Sequence, residues 1–382
     1  MGRKRSPGLT KRGEIWHIDK EVRGWGRLCE STGLSSLEDA ELYLADRLRE
    51  IRLIRSGQRL PIKWREAATK FLTENMHKAS IDKDAQHLEL LDEHIGSLLI
   101  DKVHDDSLRP FIDQRRRDGV RTKTINNALT VVRRILNLAA RSWRLENGLT
   151  WLETAPLISM QKPATGRSDS LKPYPLDWDE QEALLSHLAP HLAKMTVFKV
   201  NTGCRESEVT GLRWEWECQT DLTELAGRIF IIPGDAVLPN DAGVKNRDDR
   251  LVVLNDIAKS VVDSCRGDHP DYVFVYKDKH ILRMNNSSWQ RAWQKAGLPC
   301  NGTYRKGVHN LRHTCGRRLR AAGVSKETRS VILGHRNGDI TTHYSAPEIQ
   351  EILTALNKLC QDKSRKTPAL TVFKLRTARQ AA

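Results

Sequence analysis

The chain has 382 residues, and its 63 Lys and Arg against 48 Asp and Glu give a formal net charge of +15 at neutral pH. This length predicts two to three domains of about 100–200 residues each, and the basic excess favours a polyanionic partner, with nucleic acid first. A soluble protein that is merely basic is the alternative at this point. No apolar run approaches the roughly 18 residues that span a membrane, and the basic N-terminus lacks the apolar core of a secretion signal.

The seven cysteines are odd in number and contain no C-x-x-C pair. Neither a disulfide framework nor a zinc cluster is indicated by this pattern. We therefore expect a reducing compartment such as the cytosol, and no bound metal.

Residues 1–57 are predicted to form a small module of short strands and one helix. The segment Glu14–Asp19 alternates apolar and polar residues, which is typical of a half-buried strand. A second short strand follows the glycine-flanked turn at Trp25, and Ser36 is a candidate N-cap for a helix from Leu37. Such a basic sheet could lie in a DNA groove. Its candidate DNA contacts are Lys11, Arg12, Lys20, Arg23 and Arg27.

A linker is predicted at residues 56–61, and residues 62–160 then carry apolar residues at helical spacing. The predicted helices are Ile62–Asn75, Asp84–Ile95, Asp105–Asp118 and Thr122–Trp143. The last helix buries a stripe from Ile125 to Ala139 and leaves Arg133 and Arg134 on other faces as candidate DNA contacts. A solvated charged surface is the alternative interpretation for both arginines.

A second linker is predicted at residues 161–175, because this stretch is rich in Lys, Pro, Gly and Ser. Beyond it, one helix is predicted from Asp177 to Leu192, with the apolar pattern continuing to Asn201. Two strands are predicted at Arg228–Pro233 and Arg250–Leu254, separated by a polar loop. The remainder is predicted to be helical up to a basic tail at residues 361–382.

The residues that carry chemistry lie mainly in the last third of the chain. His309 and Arg312 are three residues apart and would share one face of a helix. His335 follows a glycine, and Tyr344 comes nine residues later. A guanidinium that holds non-bridging oxygens, imidazoles that manage protons and a phenol that attacks suit transfer of a phosphodiester to tyrosine. Tyr304 is a competing nucleophile, but it precedes the His-x-x-Arg segment.

An ordered set of motifs resembles the tyrosine recombinases, the phage integrase family. The set comprises Thr202-Gly-Cys-Arg205-x-x-Glu208, Lys245 on a strand-flanked loop, His309-x-x-Arg312-His-Thr, Leu333-Gly-His335 and Tyr344. The resemblance implies a mainly α, multi-domain fold: an arm-type DNA-binding module at 1–57, a helical core-binding domain at 62–160, and a mixed α+β catalytic domain at 175–360 with a small antiparallel sheet.

The resemblance also implies roles for single residues. Arg205 and Arg312 would clamp the scissile phosphate and neutralise the charge of its transition state. Glu208 would orient Arg205. Lys245 would act as the general acid on the leaving 5′ oxygen, with a pKa lowered by neighbouring cations.

The two histidines and the tyrosine would complete the set. His309 would assist phosphate binding and proton transfer, and His335 would donate to a non-bridging oxygen. Tyr344 would attack the phosphorus and give a 3′-phosphotyrosyl link. His313 is expected to be structural, because it points about 100° away from Arg312 on a helix. With two guanidiniums and a lysine present, no cofactor or divalent metal is expected.

The function implied is integration and excision of a phage or mobile element, by four protomers on two double-stranded DNA segments with core and arm-type sites. A directionality factor and a host DNA-bending protein are possible partners, in the cytoplasm of a bacterial host, at the nucleoid. The alternatives are a type IB topoisomerase, a resolvase-type recombinase and a DNA-binding regulator without catalysis. The apolar residues Ile349 to Leu356 predict a helix that docks either on a neighbour or on its own domain.

Overall fold

The computed structural model describes residues 7–163, 169–239, 242–243, 248–335 and 347–361. The chain divides into two compact units, Met1–Ser170 and Leu171–Ala382. The described residues are mainly helical with small antiparallel sheets, which confirms the predicted fold class. The finer division of the first unit into two domains stays a prediction.

The N-terminal part of the first unit is a three-stranded antiparallel sheet covered by one helix. Strands β1 (Leu9–Arg12), β2 (Ile15–Val22) and β3 (Gly26–Ser31) lie in the order β1-β2-β3. Helix α1 (Leu37–Arg55) begins at Ser36, whose side chain accepts a hydrogen bond from the Asp39 N–H, as an N-cap does. The small core between sheet and helix contains Ile18, Leu28, Ala40, Leu44 and Ile51.

The remainder of the first unit is helical and has its own core. Its helices are α2 (Trp64–Glu74), α3 (Ile81–Ile95), α4 (Asp105–Arg117) and α5 (Thr122–Arg141). All four lie close to the predicted bounds, because apolar periodicity reports which face of a helix is buried. Helix α5 buries eight residues on one face, and each large aliphatic side chain among them contributes roughly 1.5–3 kcal/mol through its burial.

The predicted linker at 56–61 lies against this helical part. The side-chain amide of Asn147 donates to the carbonyls of Ile54 and Gln58, at 3.2 and 3.1 Å. The Nε of Arg59 donates to the Thr150 carbonyl at 3.1 Å. The end of α1 and the residues after it are therefore held to the helical part by hydrogen bonds from side chains to backbone carbonyls.

The second unit opens with two helices where one was predicted. Helix α6 (Trp178–His187) ends before Leu188, and α7 (Pro190–Thr202) starts anew with its proline at the first turn. A proline has no backbone N–H and fits the first turn of a helix but not its interior. The prediction of one helix through Leu192 was therefore wrong.

The sheet of this unit pairs β4 (Ile229–Ile232) antiparallel with β7 (Arg250–Val253), and both strands were predicted. Between them β5 (Val237–Leu238) pairs with β6 (Ala242–Gly243). A hairpin of β8 (Val275–Tyr276) and β9 (Lys279–His280) lies where only helix was predicted. Its turn residues Lys277 and Asp278 both have positive φ, and without the Asn-Gly signature that usually marks such turns the hairpin was missed.

The second unit contains six further α-helices among its described residues. They are α8 (Glu206–Thr210), α9 (Asp256–Asp263), α10 (Ser287–Lys295), α11 (His309–Ala321), α12 (Lys326–Ile332) and α13 (Ile349–Gln361). Helix α13 packs on its own domain, where Ile352 and Leu356 share a core with Cys315 and Leu319 of α11. Its Leu356 carbonyl accepts from the Asn255 side chain at 3.1 Å. In this single chain the helix takes one of the two predicted positions, on its own domain, and docking on a neighbour stays a prediction.

Three further features belong to the described part of the chain. No helix there is long and apolar enough to cross a membrane. All seven cysteines lie in it and none forms a disulfide. No three His, Cys, Asp or Glu side chains in it are grouped as metal ligands would be.

Candidate active site

The turn between α7 and α8 is built around Gly203. Its φ of +67° lies in the left-handed region that favours glycine. A Cβ at this position would lie 2.8 Å from the Leu333 Cδ2 and 3.2 Å from the Cys315 Sγ. Glycine is therefore required twice, for its backbone conformation and for the close approach of the segment before His335.

This turn places Arg205 as the residue that precedes α8, where Glu208 holds it at both ends. The Arg205 backbone N–H donates to the Glu208 Oε2 at 2.7 Å, and its Nη1 donates to the Oε1 at 2.5 Å. Its Nη2 donates to the Gly334 carbonyl at 2.7 Å. Burial alone would raise the pKa of Glu208, but Arg250 and Arg205 hold that pKa below its ordinary value. Glu208 is thus a buried carboxylate that fixes the guanidinium of Arg205.

Arg312 reaches the same place from α11. It is 6% exposed, and its Nη1 donates to the Gly203 carbonyl at 2.8 Å. Its Nη2 donates to the Leu333 carbonyl. Burial and the nearby Arg205 lower the pKa of Arg312 to about 10, which leaves the guanidinium charged at neutral pH.

Arg205 and Arg312 therefore converge on consecutive carbonyls, those of Gly334 and Leu333, directly before His335. The His335 residue is exposed, and its backbone N–H donates to the Ser330 carbonyl at 2.9 Å. Arg205 thus meets Arg312 and His335, which follow it by more than a hundred positions in the chain, at the end of α12.

His309 lies at the start of α11, one turn before Arg312. Its ring makes an edge-to-face contact with that of His313, with centroids 4.9 Å apart. Partial burial, the His313 ring and the nearby Lys199 lower the pKa of His309 to about 4. His309 is therefore neutral at neutral pH and can accept a proton as well as donate a hydrogen bond.

Two cations of this region were not identified from the sequence as site residues. Lys199 of α7 is fully buried, and its Nζ donates to the Cys204 carbonyl at 2.5 Å. Arg250 of β7 is 5% exposed, and its Nε lies 3.6 Å from the Glu208 Oε2. The only signal for Lys199 was a lysine inside an apolar helix. In the sequence, Arg250 was identified only as the first residue of a predicted strand.

The predicted general acid and nucleophile, Lys245 and Tyr344, lie outside the described residues. The competing phenol, Tyr304, is 7% exposed and packs edge-to-face on Tyr174, with centroids 4.9 Å apart. A phenol enclosed in this way is not positioned to attack DNA.

The comparisons with known proteins agree with these motifs. Residues 175–351 match the phage integrase family. The integrase of Salmonella phage P22 is 24% identical over 358 residues, which cover 83% of this chain and 84% of that protein. Residues 175–351 therefore belong to the phage integrase family, the tyrosine recombinases.

Solved integrase structures share the fold of this recombinase. The Tn1549 transposon integrase, in complex with transposon right end DNA, matches with a TM-score of 0.55 and 17% identity over 84% of this chain and 100% of its own. A lambda integrase tetramer bound to a Holliday junction matches with a TM-score of 0.55 and 12% identity over 88% of this chain and 98% of its own.

The candidate DNA contacts of the recombinase differ in their environment. On the N-terminal sheet, Arg27 makes a bidentate pair with Asp19, at 2.7 and 2.8 Å, which lowers the pKa of that carboxylate. Lys11 lies 3.6 Å from a Glu14 carboxylate oxygen. On this sheet Lys11 and Arg27 thus have carboxylate neighbours with which phosphates would compete.

The basic residues of α5 form a different kind of surface. Arg133, Arg134 and Arg141 are exposed and line one shallow groove. Arg134 also lies over the Phe71 ring, with its guanidinium carbon 5.8 Å from the ring centroid. Among the residues that the structure describes, no carboxylate lines this groove, so its three arginines face solvent together.

Proposed function

We propose that this recombinase is a site-specific integrase that cleaves and rejoins DNA through a 3′-phosphotyrosyl intermediate. The observation that carries the proposal is the convergence of Arg205 and Arg312 on the two carbonyls that precede His335. A guanidinium has five N–H donors, and the described contacts use two in Arg205 and two in Arg312. The other donors are available to hold non-bridging phosphate oxygens.

In the proposed reaction the phenolic oxygen of Tyr344 forms a bond to the scissile phosphorus while the bond to the 5′ oxygen breaks. Lys245 gives a proton to that leaving oxygen. His309, neutral at neutral pH, is suited to accept the phenolic proton, and His335 donates to a non-bridging oxygen. The arginines neutralise the charge of the pentavalent transition state, where electrostatic stabilisation is worth most.

The ester formed on Tyr344 conserves the energy of the broken bond. A 5′ hydroxyl from a second strand can therefore attack it and reseal the DNA without a nucleotide cofactor. Because two guanidiniums and a lysine supply the positive charge, we expect this chemistry to proceed without a divalent metal.

The biological reaction we propose is integration and excision of a phage or other mobile element. The similarity to a phage integrase and to a transposon integrase supports this assignment. Since an exchange requires four strand cleavages, we propose that four protomers assemble on two duplexes, as the lambda integrase does on a Holliday junction. Such an enzyme would act at the nucleoid of a bacterial host, with a directionality factor and a DNA-bending protein as candidate partners.

We also propose a division of DNA binding within the first unit. The groove with Arg133 and Arg134 would contact the core site, and the N-terminal sheet would contact arm-type sites. The cations of the groove would bind backbone phosphates, which position a protein on DNA without reading its sequence.

The decisive experiment is covalent trapping on a nicked suicide substrate, whose cleaved end diffuses away and prevents resealing. Wild-type protein should form a denaturation-resistant adduct through a 3′ phosphate. Tyr344→Phe should bind the DNA and form no adduct. The matched control is Tyr276→Phe, which removes the hydroxyl of an exposed tyrosine in β8 and should react as wild type.

Other outcomes would point to the alternatives. DNA binding without any adduct in the wild type would indicate a DNA-binding regulator. An adduct in Tyr344→Phe would show that another residue is the nucleophile. Relaxation of supercoiled DNA by a monomer, at no preferred site, would indicate a topoisomerase.

A further inference from the structure

Arg250 is a buried arginine with no assigned role in the chemistry. It starts β7, and its side chain points into the region between Glu208 and the end of α12. Its Nη1 donates to the Val331 carbonyl at 3.1 Å, and its Nη2 donates to the Ile332 carbonyl at 2.5 Å. Among the described residues its buried Nε has no hydrogen-bond partner.

The contacts of Arg250 continue those of the two clamp residues. Together Arg250, Arg312 and Arg205 donate to four consecutive carbonyls at the C-terminal end of α12. In chain order the acceptors belong to Val331, Ile332, Leu333 and Gly334. The last carbonyls of a helix carry its negative partial charge, so cations are favoured there. One helix end thus sets the spacing of three guanidiniums.

Arg250 also acts on the carboxylate that holds Arg205. Its Nε lies 3.6 Å from the Glu208 Oε2, the same oxygen that accepts from the Arg205 backbone. It is packed closely from the other side, because a Cβ on Gly334 would lie 2.9 Å from that Nε. Arg250 is therefore confined between the support of Arg205 and the segment that leads to His335.

We infer that Arg250 is a positioning residue, which fixes the end of α12 so that Arg205 and Arg312 meet the scissile phosphate together. The inference rests on the proposed function, since it concerns the same clamp. Only a planar guanidinium can donate to two adjacent carbonyls while keeping a third N–H toward Glu208. A lysine would keep the charge and lose this geometry.

The test compares Arg250→Lys with a matched control, Arg228→Lys. Arg228 directly precedes β4 of the same sheet, pairs with Asp256 at 2.9 Å and donates to the Leu254 carbonyl at 3.4 Å. Its described contacts include neither Arg205 nor Arg312. Arg250→Lys should slow adduct formation by about 100-fold, the usual effect of misplacing reacting groups by about 1 Å. The two variants, Arg228→Lys and Arg250→Lys, should have similar DNA affinities and similar urea unfolding midpoints.

A substrate with a methylphosphonate at the scissile position distinguishes misplaced clamp arginines from a general loss of folded, active protein. One non-bridging oxygen is replaced by a methyl group, so the linkage is uncharged and needs less help from guanidiniums. On this substrate, the loss of adduct-formation rate in Arg250→Lys relative to the wild type should be at least tenfold smaller. Arg205→Ala serves as the reference, because its defect should shrink as well.

If Arg250→Lys fails to fold, Gly334→Ala provides a second perturbation that removes no side chain of the clamp. Its added Cβ would lie 2.9 Å from the Arg250 Nε, and its φ of +55° strains the backbone that leads to His335. On the methylphosphonate substrate, the rate loss of Gly334→Ala relative to the wild type should become smaller in the same way. An equal defect on both substrates, or no defect, in Arg250→Lys or Gly334→Ala would overturn the inference while leaving the proposed function intact. Absence of an adduct with wild-type protein would overturn the proposed function and the inference with it.

Discussion

The burial of Lys199 allows the effect of its substitution on the free energy of unfolding to be predicted in magnitude. Burial lowers the pKa of this fully buried lysine to about 8, from an ordinary value of 10.5. Since each pKa unit corresponds to about 1.4 kcal/mol, keeping Lys199 charged in the folded state costs about 3 kcal/mol at pH 7. A Lys199→Met variant avoids this cost but leaves the Cys204 carbonyl without its donor, which costs about 1–3 kcal/mol. At pH 7 the variant should therefore be as stable as the wild type or slightly more stable.

The sign of the pH dependence follows from proton binding. Between about pH 8 and 10.5 the unfolded chain holds the Lys199 proton more tightly than the folded one. The stability of the wild type relative to Lys199→Met must then rise with pH across this window. From pH 7 to 9.5 the relative gain should be about 2 kcal/mol, which makes the variant the less stable protein at the upper end.

Urea unfolding at pH 7, 8.5 and 9.5, followed by tryptophan fluorescence, measures this difference. The control is Lys194→Met, on the same helix, because Lys194 is 39% exposed and also donates to a backbone carbonyl, that of Ser264 at 3.0 Å. This control separates the loss of a donor to a backbone carbonyl from the loss of a buried charge. A pH-independent difference for Lys199→Met would refute the argument, since it would mean that Lys199 keeps the same proton affinity in both states.

Three further predictions concern the reaction itself. Lys245→Ala should slow cleavage strongly, yet cleave a substrate with a 5′-thiolate leaving group much faster than the normal one; equal defects would place the acid elsewhere. Chelators should leave wild-type cleavage intact, and an activity restored only by a divalent ion would contradict the metal-free scheme. A chain that begins at Leu60 should still cleave the core site but lose arm-site binding, with a salt slope lower by about 0.9 per phosphate contact removed; identical footprints would exclude a DNA-reading role for residues 1–57.

The sequence predicted those parts of the fold that periodicity controls. The four helices of the first unit and the strands β4 and β7 were found because their apolar residues repeat at regular spacing. The break at Pro190 and the hairpin at Lys277 were missed, because each depends on one or two residues in a special conformation. A single proline within a long apolar pattern decides whether one helix or two forms.

Within the candidate site, the sequence identified the residues with an expected chemical role but not those that hold them. Arg205, Arg312 and His335 were found through their spacing, and the structure brings all three to the end of α12. Lys199 and Arg250 act through backbone carbonyls, and a contact to a carbonyl can be made with any residue type as partner. Such contacts leave no residue pattern in the sequence, so they can be recognised only once the segments have been placed together.

The charges of the site also suggest why its arginines are held by carbonyls. Among the described residues, Arg205, Arg250 and Arg312 share one buried carboxylate as a neighbour, that of Glu208. One carboxylate cannot neutralise three guanidiniums, and buried charge without partners is costly. The dipoles of the α12 carbonyls supply part of the missing negative charge without adding an ion. A phosphate that enters between Arg205 and Arg312 would supply the rest of the negative charge. The excess of positive charge that destabilises the free protein would therefore stabilise the complex with DNA, and its more negative transition state still more.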